Sequence, residues 1–400
     1  MNLLKIFTAY FEENKLLISC LLILFIFSLR LFVGEGNPTY FSVIGNQFVT
    51  DEPDETDYAV NAGFGYDGQF FYAIAQSPAV FSNELNGVKL DHPAYRHQRI
   101  MYPLLAYALA FGHVSLVPYS MILVNMLAFI GIVLLFQKFI HNFRVNRWYG
   151  LFPLLICGLW MSLSRNLAEN VEGVFFLTAL LFFYGKELFL FSLFSLLTFL
   201  TREPSIVLLL PIAGVWGLYI LFYSNLKVFY KLKATVMLVA PYLLTLFWKY
   251  FVNAAYETEE LIVAGSNIAF PFNGIYQSLL FNFNSVDSVE GVVEFAVWFA
   301  FLVWFIWLSK MVIGCLKIDL KNRLFQTGLS VSWLFSILFA TCFSISIFID
   351  DWAFTRVLAS SSLLGLLLLA VYLKKPISKL FIMYSLALLV LTWVRIIVRV

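Results

Sequence analysis

Charge is what this chain has least of. Only 12% of its residues are Asp, Glu, Lys or Arg, where a soluble domain carries about 25%. So little polar surface cannot coat a water-exposed globule. Cysteine is nearly as sparse: Cys20, Cys157, Cys315 and Cys342 each stand alone in an apolar segment, with no two at metal-ligand spacing. That pattern predicts small buried side chains rather than a disulfide framework. A net charge of +2 without a basic polar tract leaves no nucleic-acid-binding arm. No internal repeat is detectable, whereas a transporter built from inverted repeats would display matching halves.

What is abundant is apolar. Hydrophobic residues make up 61% of the 400, and mean hydropathy is +0.85. Segments of about 20 mostly apolar residues are long enough to cross hydrocarbon as helices. A closed barrel would instead show strands of about ten alternating residues, and runs such as 174–184 and 361–373 are continuously apolar. The expected fold class is an all-α polytopic membrane protein, with 1–400 as a single transmembrane domain. Segment 16–33 has no small-residue cleavage site after it, so it is expected to remain as an uncleaved anchor.

Lys and Arg are retained in cytoplasmic loops during insertion. The basic stretches are 138–147, 227–233, 310–323 and 374–379; the acidic ones are 51–57, 257–260 and 287–294. One orientation puts every basic stretch inside and every acidic stretch outside, provided that 100–112 lies in or re-enters the outer leaflet. The expected spans are then 16–33, 116–137, 148–164, 167–185, 187–201, 204–223, 234–252, 291–312, 324–347, 354–373 and 378–397. That makes about eleven, with the amino terminus inside. Two long outer loops follow, 34–99 and 253–290, and loops of that length tend to carry function.

The first outer loop contains Gly65-Tyr66-Asp67-Gly68-Gln69-Phe70-Phe71-Tyr72-Ala73-Ile74-Ala75-Gln76. Its spacing predicts a short amphipathic helix on the membrane surface, with Phe70, Phe71 and Ile74 on one face. Asp67 stands where an N-cap belongs, or at the mouth of a cavity as a general base. The two readings are compatible, and the residues leave both open.

Arg96 and Arg99, three apart, share a helical face and make a fork for phosphate oxygens. By themselves they are read more readily as snorkelling to lipid headgroups. His92 and His97 do not share a face, and no clear ligand set supports a divalent metal. Asn166, Glu169, Asn170 and Gly173 recur at helical spacing and predict a polar stripe facing the bundle interior or a cavity. Arg165 is expected to pair with Glu169 four residues on. Arg202, between two spans, and Asp351 and Arg356, opening another, are functional candidates because charge within a membrane is costly. In the charge-derived orientation Asp67, Arg96, Arg99, Glu169, Arg202, Asp351 and Arg356 all fall at the outer face. A cavity there would suit an amphipathic molecule with a phosphate and an apolar tail.

With these residues in view, the chain resembles the GT-C superfamily of polyprenyl-phosphate-sugar-dependent glycosyltransferases. The likeness covers the general plan of a first span, a large outer loop and then many spans. Its local carriers are Tyr66-Asp67-Gly68-Gln69-Phe70-Phe71-Tyr72-Ala73-Ile74-Ala75 and Tyr95-Arg96-His97-Gln98-Arg99-Ile100-Met101-Tyr102-Pro103-Leu104-Leu105. These are similar to the first-loop pattern of a bacterial group of integral-membrane glycosyltransferases, and more distantly to PIG-V-type mannosyltransferases. Thr201-Arg202-Glu203 and Phe354-Thr355-Arg356-Val357-Leu358 look like later elements of the same group.

The resemblance implies a GT-C-like bundle in which Asp67 deprotonates an acceptor hydroxyl. The hydroxyl then attacks the anomeric carbon of a lipid-phosphate sugar with inversion. Arg96, Arg99, Arg202 or Arg356 would stabilise the departing phosphate. Tyr66, Gln69, Asn166, Glu169 and Asp351 would line or support the cavity. It further implies an undecaprenyl- or dolichyl-phosphate donor, a glycan, lipid or protein acceptor, and a bacterial inner membrane with the site on its extracytoplasmic face. The chain departs from families with paired acidic residues at this site, since Asp57 is the nearest acid upstream of Asp67. Two other readings use the same residues: a flippase or transporter of lipid-linked glycans or small molecules, and a polysaccharide polymerase or ligase. For the latter, Pro271-Phe272-Asn273 in the second loop would contact the acceptor.

Overall fold

The computed structural model describes residues 14–50, 58–257, 267–284, 288–373 and 376–398. The apolar run after Asn14 forms helix α1 (Lys15–Val33), which stops at Gly34, where Gly34 N–H bonds back to the Arg30 carbonyl and Glu35 N–H to that of Phe32. The loop beyond it is short-range structure packed as a cap. Strand β1 (Ile44–Gly45) runs parallel to β2 (Val60–Asn61), and after helix α2 (Gly68–Gln76) come the antiparallel strands β3 (Glu84–Leu85) and β4 (Val88–Lys89). Helices α3 (Pro93–Gln98) and α4 (Met101–Leu109) lead into the long α5 (Val117–Asn142).

The described remainder is mostly helical. After a 3-10 stretch at Arg147–Leu155 come α6 (Cys157–Ser164), α7 (Glu169–Gly185), α8 (Leu188–Thr201), α9 (Ile206–Tyr223) and α10 (Val228–Ala255). They are followed by α11 (Asn273–Asn284), α12 (Val289–Ile313), α13 (Leu324–Thr341), α14 (Ile345–Phe348), α15 (Asp351–Val357), α16 (Ala359–Tyr372) and α17 (Lys379–Val398).

Seven of these helices are long and apolar enough to cross a membrane, and α15 with α16, bent by 50°, raises the number to eight if the pair is one span. The chain is therefore an all-α, multi-pass membrane protein. Where the sequence predicts spans at 148–164 and 187–201, the structure has shorter pieces. The first is a 3-10 stretch and α6 separated by extended backbone at Ile156. The second is α8, 14 residues long, about 21 Å at 1.5 Å per residue against the ~30 Å of a hydrocarbon core. Segment 167–185 gives α7, 17 residues beginning at Glu169. Over 100–112 the helix is only α4, nine residues, about 14 Å long.

α2 differs from a helix lying free on a bilayer. All nine of its residues are buried; Phe71 stacks edge-on to Tyr102 of α4, and Phe70 lies under the loop residue Phe48. Both faces are used because the 34–99 loop folds back over it. At the centre of the bundle, α6 is buried at every position and α16 along most of its length. Trp160 of α6 meets Phe129 of α5 and Trp393 of α17. The four cysteines are free, Cys157 and Cys315 being buried.

Candidate functional site

Asp67 immediately precedes α2, yet its side chain makes no capping hydrogen bond. Its carboxylate turns instead to two guanidiniums, accepting from Arg356 on α15 and lying 3.0 Å from Arg96 on α3. The backbone is held there by contact. A Cβ on Gly68 would sit 2.1 Å from the carbonyl oxygen of Arg165, at the end of α6. The other end of α6 fixes Arg356: a Cβ on Gly158 would lie 2.3 Å from Thr355 O and 2.8 Å from Arg356 Cα. One short buried helix thus serves as a template against which both partners are placed. Gln69 is a bracket of the same kind, its amide accepting from Gly45 N and donating to Phe64 O.

α3 is pinned to α10 by the residues between its two arginines. His97 bonds to Tyr256 Oη and Pro78 O, Gln98 Nε2 donates to Asn253, and Trp248 Nε1 donates to Gln98 O. Arg96 and Arg99 then face the interior together, as their spacing predicts. Arg96 is braced by Asp91 through bonds of 2.7 and 2.6 Å and lies over the Phe70 ring. Arg99 forms a bidentate pair with Glu203 at 2.9 and 2.8 Å and also donates to Tyr95 Oη.

Behind them, Arg202 lies 2.8 Å from Glu172 and 3.6 Å from Glu169, and Arg356 lies 3.7 Å from Glu169. Glu169 therefore bridges two arginines from different helices. The expected pairing of Arg165 with Glu169 gives way to this arrangement. The chain is not helical between them, Asn166 having a φ of +50°, and the Arg165 guanidinium stacks 3.9 Å from the centre of the Trp352 ring.

These groups surround a cavity of about 510 Å³. Asp67, Arg96, Arg99, Arg202 and Arg356, from loop positions and helices far apart in sequence, all line it. Apolar side chains complete much of its lining: Ile206 and Val207 of α9, Phe339 of α13, Phe343 and Val357. The remaining sequence candidates support this lining from behind. Tyr66 lies under the Arg356 guanidinium, 4.9 Å from ring centre to Cζ. Asn166 donates to Ser42 Oγ. Asp351 belongs to a separate buried cluster, 3.2 Å from Arg395, which also pairs with Glu294. Asp57 lies outside the described residues.

Two charged lining residues escape the list of sequence candidates. Glu203 sits beside Arg202 at the same break between helices, and Lys249 is a lone cation inside the otherwise apolar 234–252 segment, which was the signal available. Lys249 has no ion-pair partner among the described residues, unlike the four arginines. Each arginine is in direct contact with a carboxylate, whereas Lys249 acts on Glu203 only at longer range.

The electrostatics of the loop residues follow. Burial pushes the Asp67 carboxyl up, but the Arg356 and Arg96 guanidiniums outweigh it and hold the group well below the usual carboxylate range. Burial likewise disfavours the charges on Arg96 and Arg99. Asp67 opposite the first and Glu203 opposite the second prevail, and both remain firmly protonated. Among the described residues no cluster of three or more His, Cys, Asp or Glu side chains could hold a metal ion.

No protein-family model matches the chain, and neither a curated protein nor a solved structure shows significant similarity to it.

Proposed function

We propose that this chain is a glycosyltransferase of GT-C-like design that moves a sugar from a polyprenyl-phosphate donor to an acceptor hydroxyl on the non-cytoplasmic side of the membrane. The observation that carries the reading is the lining of this cavity: an ionised carboxylate, Asp67, held between Arg96 and Arg356, together with apolar side chains. A lipid phosphate needs cations and its prenyl chain needs an apolar surface. The sugar between them needs a base.

In this mechanism the acceptor oxygen attacks the anomeric carbon as its proton passes to Asp67. The bond from that carbon to the phosphate oxygen breaks, and the electron pair leaves on the lipid phosphate. A carboxylate clamped by two arginines is a weak base, so the clamp must loosen as the reaction proceeds. Charge building on the departing phosphate supplies the cause, since it draws Arg356 and Arg96 away from Asp67 and raises the basicity of the carboxylate as the proton arrives. Lys249, the lining cation with no carboxylate in direct contact among the described residues, makes the first contact with the donor phosphate. Positioned charges of this kind contribute most when they act on the transition state in a low-dielectric site.

The test uses the purified chain in lipid nanodiscs with a short-chain polyprenyl-phosphate hexose and a panel of hydroxyl acceptors. Acceptor-dependent release of polyprenyl phosphate is the expected result. Transbilayer movement of an intact donor, with no cleavage, would instead establish the flippase reading.

A further inference from the structure

At the end of α1 and α5 remote from the Asp67 cavity is a second concavity of about 1110 Å³. Lys15 of α1, Lys138 and His141 of α5, and Arg144 and Arg147 of the turn that follows all line it, and no acidic side chain is among its described lining residues. Retention of Lys and Arg in cytoplasmic loops explains why such charges lie at one end of the molecule. It does not explain their convergence on one hollow. Lys138, Arg144 and Arg147 make no ion pair among the described residues, in contrast to the arginines of the other cavity.

A further feature points to a ligand. The rest of the lining includes Leu16 and Leu134, exposed at 38% and 44%, on two helices of membrane-spanning length. Cations at the rim and exposed leucines running down adjoining spans fit a headgroup phosphate above two acyl chains. Basic pockets between transmembrane helices bind anionic headgroups in this way.

We infer that this hollow is a binding site for an anionic phospholipid of the adjoining leaflet, with the headgroup phosphate held by Lys138, Arg144 and Arg147, and the acyl chains lying along α1 and α5. The site stands independently of the proposed transferase chemistry. Its occupant joins α1, which enters the loop carrying Asp67, to the central helix α5.

The full chain in detergent is titrated with phosphatidylglycerol and with phosphatidylcholine, and bound lipid is counted by native mass spectrometry. Wild type should prefer phosphatidylglycerol by at least about tenfold. The triple variant Lys138→Gln, Arg144→Gln, Arg147→Gln should lose that preference while keeping its thermal unfolding profile in phosphatidylcholine. If the triple variant does not fold, the exposed single changes Lys138→Gln and Arg147→Gln carry the test, each lowering the preference by about fivefold. Equal retention of both lipids by wild type, or an undiminished preference in the folded variants, overturns the inference. So does displacement of phosphatidylglycerol by inorganic phosphate, which would assign the hollow to a free anion.

Discussion

The carboxylate of Asp67 accepts a hydrogen bond from Arg356, 289 residues further along the chain. Neither residue is at a site that its own helix requires: Asp67 leaves α2 uncapped, and Arg356 turns from α15 into the cavity lining that the two share. An ion pair so placed binds the loop after the first span to the broken helix near the carboxyl end.

Because the two act as a unit, their effects on transfer should not add. Arg356→Gln is expected to reduce transfer about 100- to 1000-fold, as loss of a positioned charge does. Adding Asp67→Asn should deepen that loss by far less than Asp67→Asn costs alone. Initial rates for the two single variants and the double variant check this, and multiplicative losses would separate the residues.

Clamping also sets the pH response. With its pKa depressed by the two guanidiniums, Asp67 is ionised throughout the neutral and mildly acidic range, so it should impose no acid limb on kcat/KM down to about pH 5. Removing Arg96 or Arg356 takes away a lowering influence while burial, which raises the value, remains. The acid limb of Arg96→Gln should therefore lie at higher pH than that of wild type. A pH–rate profile for that variant identical to wild type contradicts the assignment.

Lys249 offers a contrast in kinetic terms. A donor contact made in the ground state is uniform binding, so Lys249→Gln should raise KM for the donor by about tenfold or more while leaving kcat within a few-fold. A fall in kcat at unchanged KM would place Lys249 in the chemical step instead.

Packing at α6 can be tested by stability. Gly158→Ala forces a methyl to within 2.3 Å of the Thr355 carbonyl and should cost about 1–3 kcal/mol, displacing Arg356 with α15. Gly214→Ala meets nothing within 4 Å and, in a helix interior, should be neutral or stabilising by up to about 1 kcal/mol. Thermal unfolding in the same detergent distinguishes them.

The multi-pass helical class was legible because charge is scarce and apolar runs are long, properties that survive without knowledge of packing. The convergence of Asp67 with Arg96, Arg99, Arg202 and Arg356 was legible in outline, since an orientation rule alone put them at one face. Their partners were not. Asp91, Glu172 and Glu203 become distinguishable only when the fold sets them against particular guanidiniums. α2 read as a surface helix because its apolar spacing is one-sided, while the residues that cover its polar side come from elsewhere in the loop. The span at 148–164 read as continuous because hydropathy does not register the extended backbone at Ile156 that frees α6 to act as a template.

The account rests on Asp67 as the group that takes the acceptor's proton, and Asp67→Asn tests it most directly. The substitution keeps shape and hydrogen-bonding capacity but cannot accept the proton. It should leave a folded protein whose transfer from a polyprenyl-phosphate sugar is slower by at least about a hundredfold. Transfer at the wild-type rate by that folded variant would contradict the claim.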